Sequence, residues 1–367
     1  MAFKTRKRFV GIGEGRSKPI YVEPTVHDTA VLIAFYNPAR YKRILKNALY
    51  VISVLKEKNI PFYVAECVFH KYKSQIPDAT LVLQSDSYMF YKEQLWNKLV
   101  PHVPKKYTKL IFLDADIIFD APDWVDTTSA ALDKFDMIQP FSESCWLTPD
   151  NTRIRSKKSS YAFAIVTKKD ITNKTIHDYH PGFAWAMKRD IFLKIGGFFV
   201  KSIIGGGDVA FVLNLFPFHV TDELFFNAIH SGFGKYIIDA WRQYNDAFKK
   251  VNPTFGYLTN KALHLFHGVK ENRQYVSRYR SIGTAIKGTW EDEITTNSDG
   301  LFEFKRPEMN SILLSYFKGR NEDISIEEAD KIIKDGGKKR NSTTRKGGRI
   351  TIENTVDDGT IVTMPSQ

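Results

Sequence analysis

The stretch Leu110-Ile111-Phe112-Leu113-Asp114-Ala115-Asp116-Ile117-Ile118-Phe119-Asp120 decides the fold. Four apolar residues following Tyr107-Thr108-Lys109 predict a strand buried on both faces, as central strands of mostly parallel sheets are. The strand stops at two carboxylates. Open α/β sheets bind ligands beyond the carboxyl ends of their strands, so Asp114 and Asp116 are expected at a crevice. Two residues apart, they project to one side on continued strand geometry. Hard oxygen donors held this way suit Mn²⁺ or Mg²⁺, ions that also take up phosphate oxygens.

The flanking segments supply the rest of such a sheet. Thr29 to Phe35 reads as a first strand, with Asn37-Pro38 as cap and first-turn proline of a helix reaching about Lys58. Ile44, Leu45, Ala48, Leu49, Ile52 and Leu55 recur at helical spacing and give that helix one apolar face. Strands are predicted at Pro61 to Phe69, Leu81 to Gln84 and Met137 to Pro140, with helices at Tyr91 to Leu99 and Trp124 to Phe135. Alternating strands and helices imply βαβ units and a parallel sheet. Ala34, Tyr36 and Asn37 then lie at the carboxyl end of the first strand, where a nucleotide's base and ribose are expected. Ser142 to Lys158 reads as a polar surface loop, Tyr161 to Val166 as a strand, and Thr167 to Tyr179 as a mobile connection of the kind that forms lids.

A strand ending in Asp-Ala-Asp resembles the Asp-x-Asp signature of GT-A class nucleotide-sugar glycosyltransferases. That resemblance implies a Rossmann-like, mixed but mostly parallel sheet flanked by helices, in an α/β fold. It further implies a divalent cation bridging the donor's diphosphate, with Asp116 ligating Mn²⁺ or Mg²⁺ directly and Asp114 contacting the metal, its water or the ribose. Ala115 belongs to the same donor site.

Two later stretches extend the resemblance. His180-Pro181-Gly182-Phe183-Ala184-Trp185 is followed by Gly196-Gly197-Phe198 and then Gly205-Gly206-Gly207-Asp208. Three glycines before an acid let the backbone approach a ligand and start a helix. The order resembles the acceptor-side region of inverting galactosyl- and N-acetylgalactosaminyltransferases, whose Gly-Gly-Glu-Asp segment carries the general base. Gly207 stands where that pattern has its first acid, so only Asp208 is matched, as catalytic base. His180, Phe183, Trp185, Gly206 and Gly207 are placed on the acceptor side, with Phe183 and Trp185 either a platform for a sugar ring or core residues. In His264-Leu265-Phe266-His267-Gly268, His267 looks like the histidine that closes the metal site in many GT-A enzymes. His264, three residues away on a strand, is expected to share that face less well. Lys270 and Arg273 are expected to face the leaving diphosphate, and Arg278 and Arg280 to be solvated helix positions.

Composition sets the outer limits. Of 367 residues, 43% are hydrophobic and 14% aromatic, enough to build a sizeable core. The longest apolar run, Phe211 to Val220, is interrupted by Asn214 and Pro217 and is too short for a membrane span. The basic start Lys4 to Arg8 has no apolar segment after it, which argues against a secretory signal. Cys67 and Cys145 are too few for a disulfide framework and fit a reducing compartment, so a cytoplasmic bacterial or viral setting is expected. The net charge of +12 is concentrated in residues 1–20 and 336–349, leaving the body near neutral. Gly11-Ile12-Gly13-Glu14-Gly15 mimics a phosphate loop without the strand and helix such a loop needs.

The resulting expectation is a flexible basic arm (1–24), a GT-A domain (25–290, with a nucleotide-sugar half 25–140 and an acceptor half 141–290), a C-terminal extension (291–318) and a disordered basic tail (319–367). The implied activity is metal-dependent transfer of a sugar from a nucleotide diphosphate sugar, a UDP-sugar above all, to a hydroxyl of a glycan, glycoside or protein, with inversion. Three alternatives stand beside it. A retaining transferase of the same fold is one. A sugar-nucleotide nucleotidyltransferase is another, and it calls for a Gly/Lys-rich loop where Ala34-Phe35-Tyr36-Asn37 stands. The third is a nucleic-acid-binding protein that uses its basic ends.

Overall fold

The structure is a computed structural model that describes residues 10–11, 28–70, 72–229, 234–274 and 277–343, with the side chains of 10, 11, 277, 280, 281 and 336–343 excepted. Most of the arm 1–24 and the end of the tail lie outside those residues. In chain order the first elements are β1 (Val10–Gly11), β2 (Thr29–Tyr36), α1 (Lys42–Glu57), β3 (Phe62–Phe69), β4 (Leu81–Ser85), α2 (Lys92–Leu99) and β5 (Lys109–Asp114). They are followed by β6 (Ile117–Phe119), α3 (Trp124–Leu132), β7 (Met137–Gln139), β8 (Glu143–Leu147), β9 (Ile154–Ser159) and α4 (Tyr161–Val166). Then come β10 (Ala184–Lys188), α5 (Arg189–Lys194), α6 (Gly207–Val212), β11 (Phe255–Leu258) and β12 (Lys261–His264).

These strands form an eight-stranded sheet in the order β1-β11-β7-β10-β5-β2-β3-β4 and a four-stranded sheet β6-β12-β8-β9. In the large sheet β4, β3, β2 and β5 run parallel, β10 is antiparallel to both β5 and β7, and β11 is parallel to β7. The expected mixed, mostly parallel α/β sheet is therefore present. Its adjacent interior strands β5 and β2 are apolar on both sides for a visible reason. Leu32 and Phe112 pack beneath Leu95, Trp96 and Leu99 of α2, while Val31, Ile33, Ile111 and Leu113 pack beneath Val51, Ile52 and Leu55 of α1. Each such fully buried side chain is worth about 1.5–3 kcal/mol, so this double burial dominates the stability of the site's scaffold. Trp96 ties α2 to the sheet directly, its Nε1 donating to the Leu32 carbonyl at 3.1 Å.

Several expectations are corrected. Asn37 does not cap α1; its side chain closes the turn onto Tyr41 at 2.9 Å in both directions. The cap comes from Asp323, which accepts from the backbone N–H of Lys42 and Arg43 at 2.9 and 2.8 Å. Ser142 to Lys158 is a β8–β9 hairpin with Cys145 and Leu147 buried, not a loop. Tyr161 to Val166 is a helix, not a strand, because Ser160 accepts from the Phe163 N–H and Gln139 from the Ala162 N–H; a six-residue apolar run does not distinguish the two by periodicity.

The tail assigned from residue 319 also begins with folded chain. Tyr41 Oη donates to the Lys318 carbonyl at 2.5 Å, and Ile324 and Ala329 are buried with Phe266 and Val269. Apolar surface, together with the cap given to α1, is enough to order residues 319–335 against the domain. Among the described residues no helix is long and apolar enough to cross a membrane.

Candidate functional site

The carboxyl end of β5 is pinned where Asp114 N–H donates to the Phe183 carbonyl at 2.9 Å. The chain then turns through Ala115 and Asp116 into β6. β6 pairs antiparallel with β12 so that His264 lies opposite Ile117, and Leu265 N–H donates to the Asp116 carbonyl at 2.9 Å. This register delivers both histidines to one carboxylate. Asp116 Oδ2 is 2.6 Å from His267 Nε2 and 3.5 Å from His264 Nε2, and the two Nε2 atoms are 3.1 Å apart. His264 thus belongs to the cluster, against expectation. β12 ends at His264, so strand alternation does not govern the next three residues and both imidazoles converge.

Electrostatics suit a cation at this point. Burial alone would raise the Asp116 carboxyl, but His267, hydrogen-bonded to it, and the Arg273 guanidinium hold it well below the usual carboxylate range. Burial drives His264 far below the ordinary imidazole value, which keeps it neutral with a lone pair to give. One carboxylate oxygen and two imidazole nitrogens, all within 4.8 Å of one another, form a donor set fitting Mn²⁺ or a similar divalent ion. Asp114 is not in that group. Lys92 Nζ stands 3.2 Å from its Oδ1, and burial, opposed by Lys92, pushes Asp114 up to about 6.

Behind the cluster lies a residue from the C-terminal segment. Glu322 is fully buried, and its Oε1 is 3.1 Å from His267 Nδ1 while Arg320 also pairs with it. Its carboxyl, which burial would raise, is held below the ordinary range by Arg320 and His267. An anion at Nδ1 holds a proton on that nitrogen, so that Nε2 can ligate a cation in place of the proton it shares with Asp116. Gly268, at φ +93°, lets this segment approach, since a Cβ there would press on the Glu322 backbone. Glu322→Gln is expected to weaken Mn²⁺ affinity by roughly 10–100-fold, as loss of an outer partner of a ligating histidine does. Titration of free Mn²⁺ by electron paramagnetic resonance reads this directly; wild-type affinity in the variant would remove the role.

The cavity beside the cluster is lined by Ala34, Tyr36, Asn37, Asp114, Ala115 and Asp116 from the ends of β2 and β5, and also by His180, Phe183, Gly206, Gly207, Asp208 and Arg273. The structure therefore brings together most of the residues singled out in the sequence. Burial takes His180 down to about 3, so its imidazole is neutral. Two expected members are elsewhere. Trp185 is a core residue, its Nε1 donating to the Pro181 carbonyl at 2.8 Å and its ring against Phe211. Lys270 sits exposed on the short turn Lys270–Arg273.

Arg278, expected to be solvated, is buried between Phe90 and Tyr316 and lines the cavity; the side chain of Arg280 lies outside the described residues. Lys92, Glu93, Arg320 and Glu322 were missed. For Lys92 and Glu93 a signal existed, because the first turn of a crossover helix returns to the strands' carboxyl ends.

No protein family's sequence profile matches the chain, and a comparison with curated proteins finds no relative by sequence. Solved structures give distant likenesses. The catalytic domain of a Drosophila β1,4-galactosyltransferase 7 in complex with xylobiose is 11% identical, with 78% of this chain and 99% of that one covered and a TM-score of 0.35. A second structure of that enzyme, a variant holding manganese, UDP-Gal and xylobiose, is 12% identical over 64% of this chain and 65% of its own, at 0.33. The Mycobacterium tuberculosis glucosyl-3-phosphoglycerate synthase, in complex with Mn²⁺, UDP-glucose and phosphoglyceric acid, is 11% identical over 76% and 86%, at 0.31.

Proposed function

We propose that this chain is a GT-A type, metal-dependent glycosyltransferase that uses a nucleotide diphosphate sugar. The observation supporting it is the convergence of Asp116, His264 and His267 beside Asp114 at the ends of β2 and β5, in a cavity that continues to Asp208. Residues 25–140 hold the nucleotide half: Ala34, Tyr36 and Asn37 receive the base and ribose, and Asp114 the ribose or the metal's shell. Asp116, His264 and His267 would hold a Mn²⁺ or Mg²⁺ ion, which would supply Lewis-acid charge neutralisation for a leaving diphosphate. Arg273 and Lys92 add fixed positive charge at the same place, where it acts in a partly dry site without reorganisation. Residues 141–290 supply the acceptor side. Asp208 accepts the proton of the acceptor hydroxyl as its oxygen attacks the anomeric carbon from the face opposite the diphosphate, which inverts the anomer. Two buried free cysteines, Cys67 and Cys145, fit work in a reducing, cytoplasmic setting.

Differential scanning fluorimetry with UDP-, GDP-, dTDP- and CDP-sugars, with and without Mn²⁺, tests the reading. One donor class, expected to be UDP, raises Tm only when metal is present, because a ligand confined to the native state stabilises it. If no donor shifts Tm under either condition, the reading fails. The anomeric proton signals of the product then decide between inversion and retention, and a retained anomer would remove the base role from Asp208.

A further inference from the structure

Two glycines of the acceptor side are not required by the backbone. Positive φ is found at Gly205 and Gly206 but not at Gly182 or Gly207, so residues with side chains could adopt the conformation of the latter pair. What they lack is space. A Cβ on Gly182 would collide with the Asp208 carboxylate, and a Cβ on Gly207 would fall on the carboxylate of Glu93, with all three of its terminal atoms within 3 Å. Gly207 is thus a gap through which a side chain from another element enters.

That side chain belongs to the second turn-forming residue of α2, next to Lys92, whose Nζ is 3.9 Å from Glu93 Oε1. Glu93 is only 6% exposed, yet it lines the cavity together with Asp208. A carboxyl buried this deeply needs polar company. The groups facing it are Lys92 on its own helix, Asp208 on α6 and Asp114 on β5. Burial, opposed by Lys92 and reinforced by Asp208 and Asp114, pushes Glu93 up to about 7.

We infer that Glu93 is a second acceptor-side carboxylate, brought from α2 through the gap at Gly207, which hydrogen-bonds a hydroxyl of the acceptor adjacent to the one Asp208 deprotonates. The position that the sequence leaves empty at 207 is filled in space from residue 93. Two neighbouring carboxyls match two neighbouring hydroxyls, so the acceptor class is a vicinal diol of a sugar or polyol. This rests on the transferase reading above. Glu93 makes no bond to the metal cluster, and Lys92 keeps its closer 3.2 Å pair with Asp114 when Glu93 is replaced, so its loss should leave donor binding alone.

The test compares wild type with Glu93→Gln, Glu93→Gly and the exchange Glu93→Gly/Gly207→Glu. The probe is the UDP-sugar that gives the Mn²⁺-dependent Tm rise, with methyl β-glycosides as acceptors and water as the baseline. Glu93→Gln, which keeps shape, is expected to lower kcat/KM for the glycoside by at least about tenfold, mainly through KM, with the donor's Mn²⁺-dependent Tm shift unchanged and the pH dependence near neutrality lost. The exchange should recover part of what Glu93→Gly loses. Glycoside kinetics of Glu93→Gln equal to wild type, or donor binding lost in parallel, would overturn the inference, as would an exchange variant no better than Glu93→Gly. A wild-type protein that neither binds nor consumes any donor would sink the transferase reading itself, and the inference with it.

Discussion

Asp116→Asn is expected to abolish the Mn²⁺-dependent donor Tm shift and to lower turnover by at least about 10³-fold, more than the loss of an outer-sphere partner costs. The substitution changes charge and leaves shape. Asp116 is the only anion among the three converging donors. Without it a divalent ion meets two imidazoles, one of them kept neutral by burial, with Arg273 Nη2 2.9 Å from His267 Nε2. A cation-binding site then becomes a cation-repelling one. The same replacement lowers stability without metal, and the sign follows from the depressed carboxyl. A group held below its ordinary range stabilises the fold at pH values above that range and loses the contribution as pH falls through its folded value. At neutral pH the variant lacks that contribution entirely. Donor effects must therefore be read as the change in Tm on adding donor and metal to each protein. Mn²⁺ titration followed by electron paramagnetic resonance gives the independent check; a variant binding Mn²⁺ like wild type would move the metal site away from Asp116.

The parts of this site legible in the sequence are those whose geometry is local. Asp114 and Asp116 follow a four-residue apolar run, and a strand buried between α1 and α2 is what that run forms. Ala34 to Asn37 end a strand of the same kind, and Gly205 to Asp208 make a turn into a helix. His264 joins the cluster because β12 ends there, and strand alternation does not hold for the residues that follow. Arg320 and Glu322 could not be read at all. Their place depends on Asp323 reaching back to the N–H groups of Lys42 and Arg43 and on Ile324 and Ala329 covering Phe266, contacts across some 280 residues in the first case. The first turn of α2 brings Glu93 to the cavity, but its entry through the space at Gly207 is a pairing that only packing reveals. Trp185 failed in the opposite direction, since the same aromatic ring can floor a cavity or fill a core, and its contact with Phe211 places it in the core.

Asp208→Asn is the sharpest test of the chemistry, with an expected fall in kcat of about 10²–10⁴-fold, the usual contribution of a positioned general base. Donor and metal binding should persist. Asp208 stands at the start of α6, where its Oδ1 accepts from the Val209 N–H at 3.0 Å, and it lines the same cavity as His264 and His267 without belonging to their cluster. An amide there keeps the contour that Gly182 accommodates but cannot take a proton from a hydroxyl. A second consequence separates loss of a base from general damage. Asp208 is one of the negative groups holding Glu93 up to about 7, so removing its charge favours the ionised form of Glu93 and lowers that value. The residual activity of Asp208→Asn should accordingly show its acid-side fall at lower pH than wild type. An undiminished kcat would deny Asp208 the base role. A reduced kcat with an unshifted pH profile would show that the two carboxyls do not share the electrostatic environment their packing around Gly207 requires.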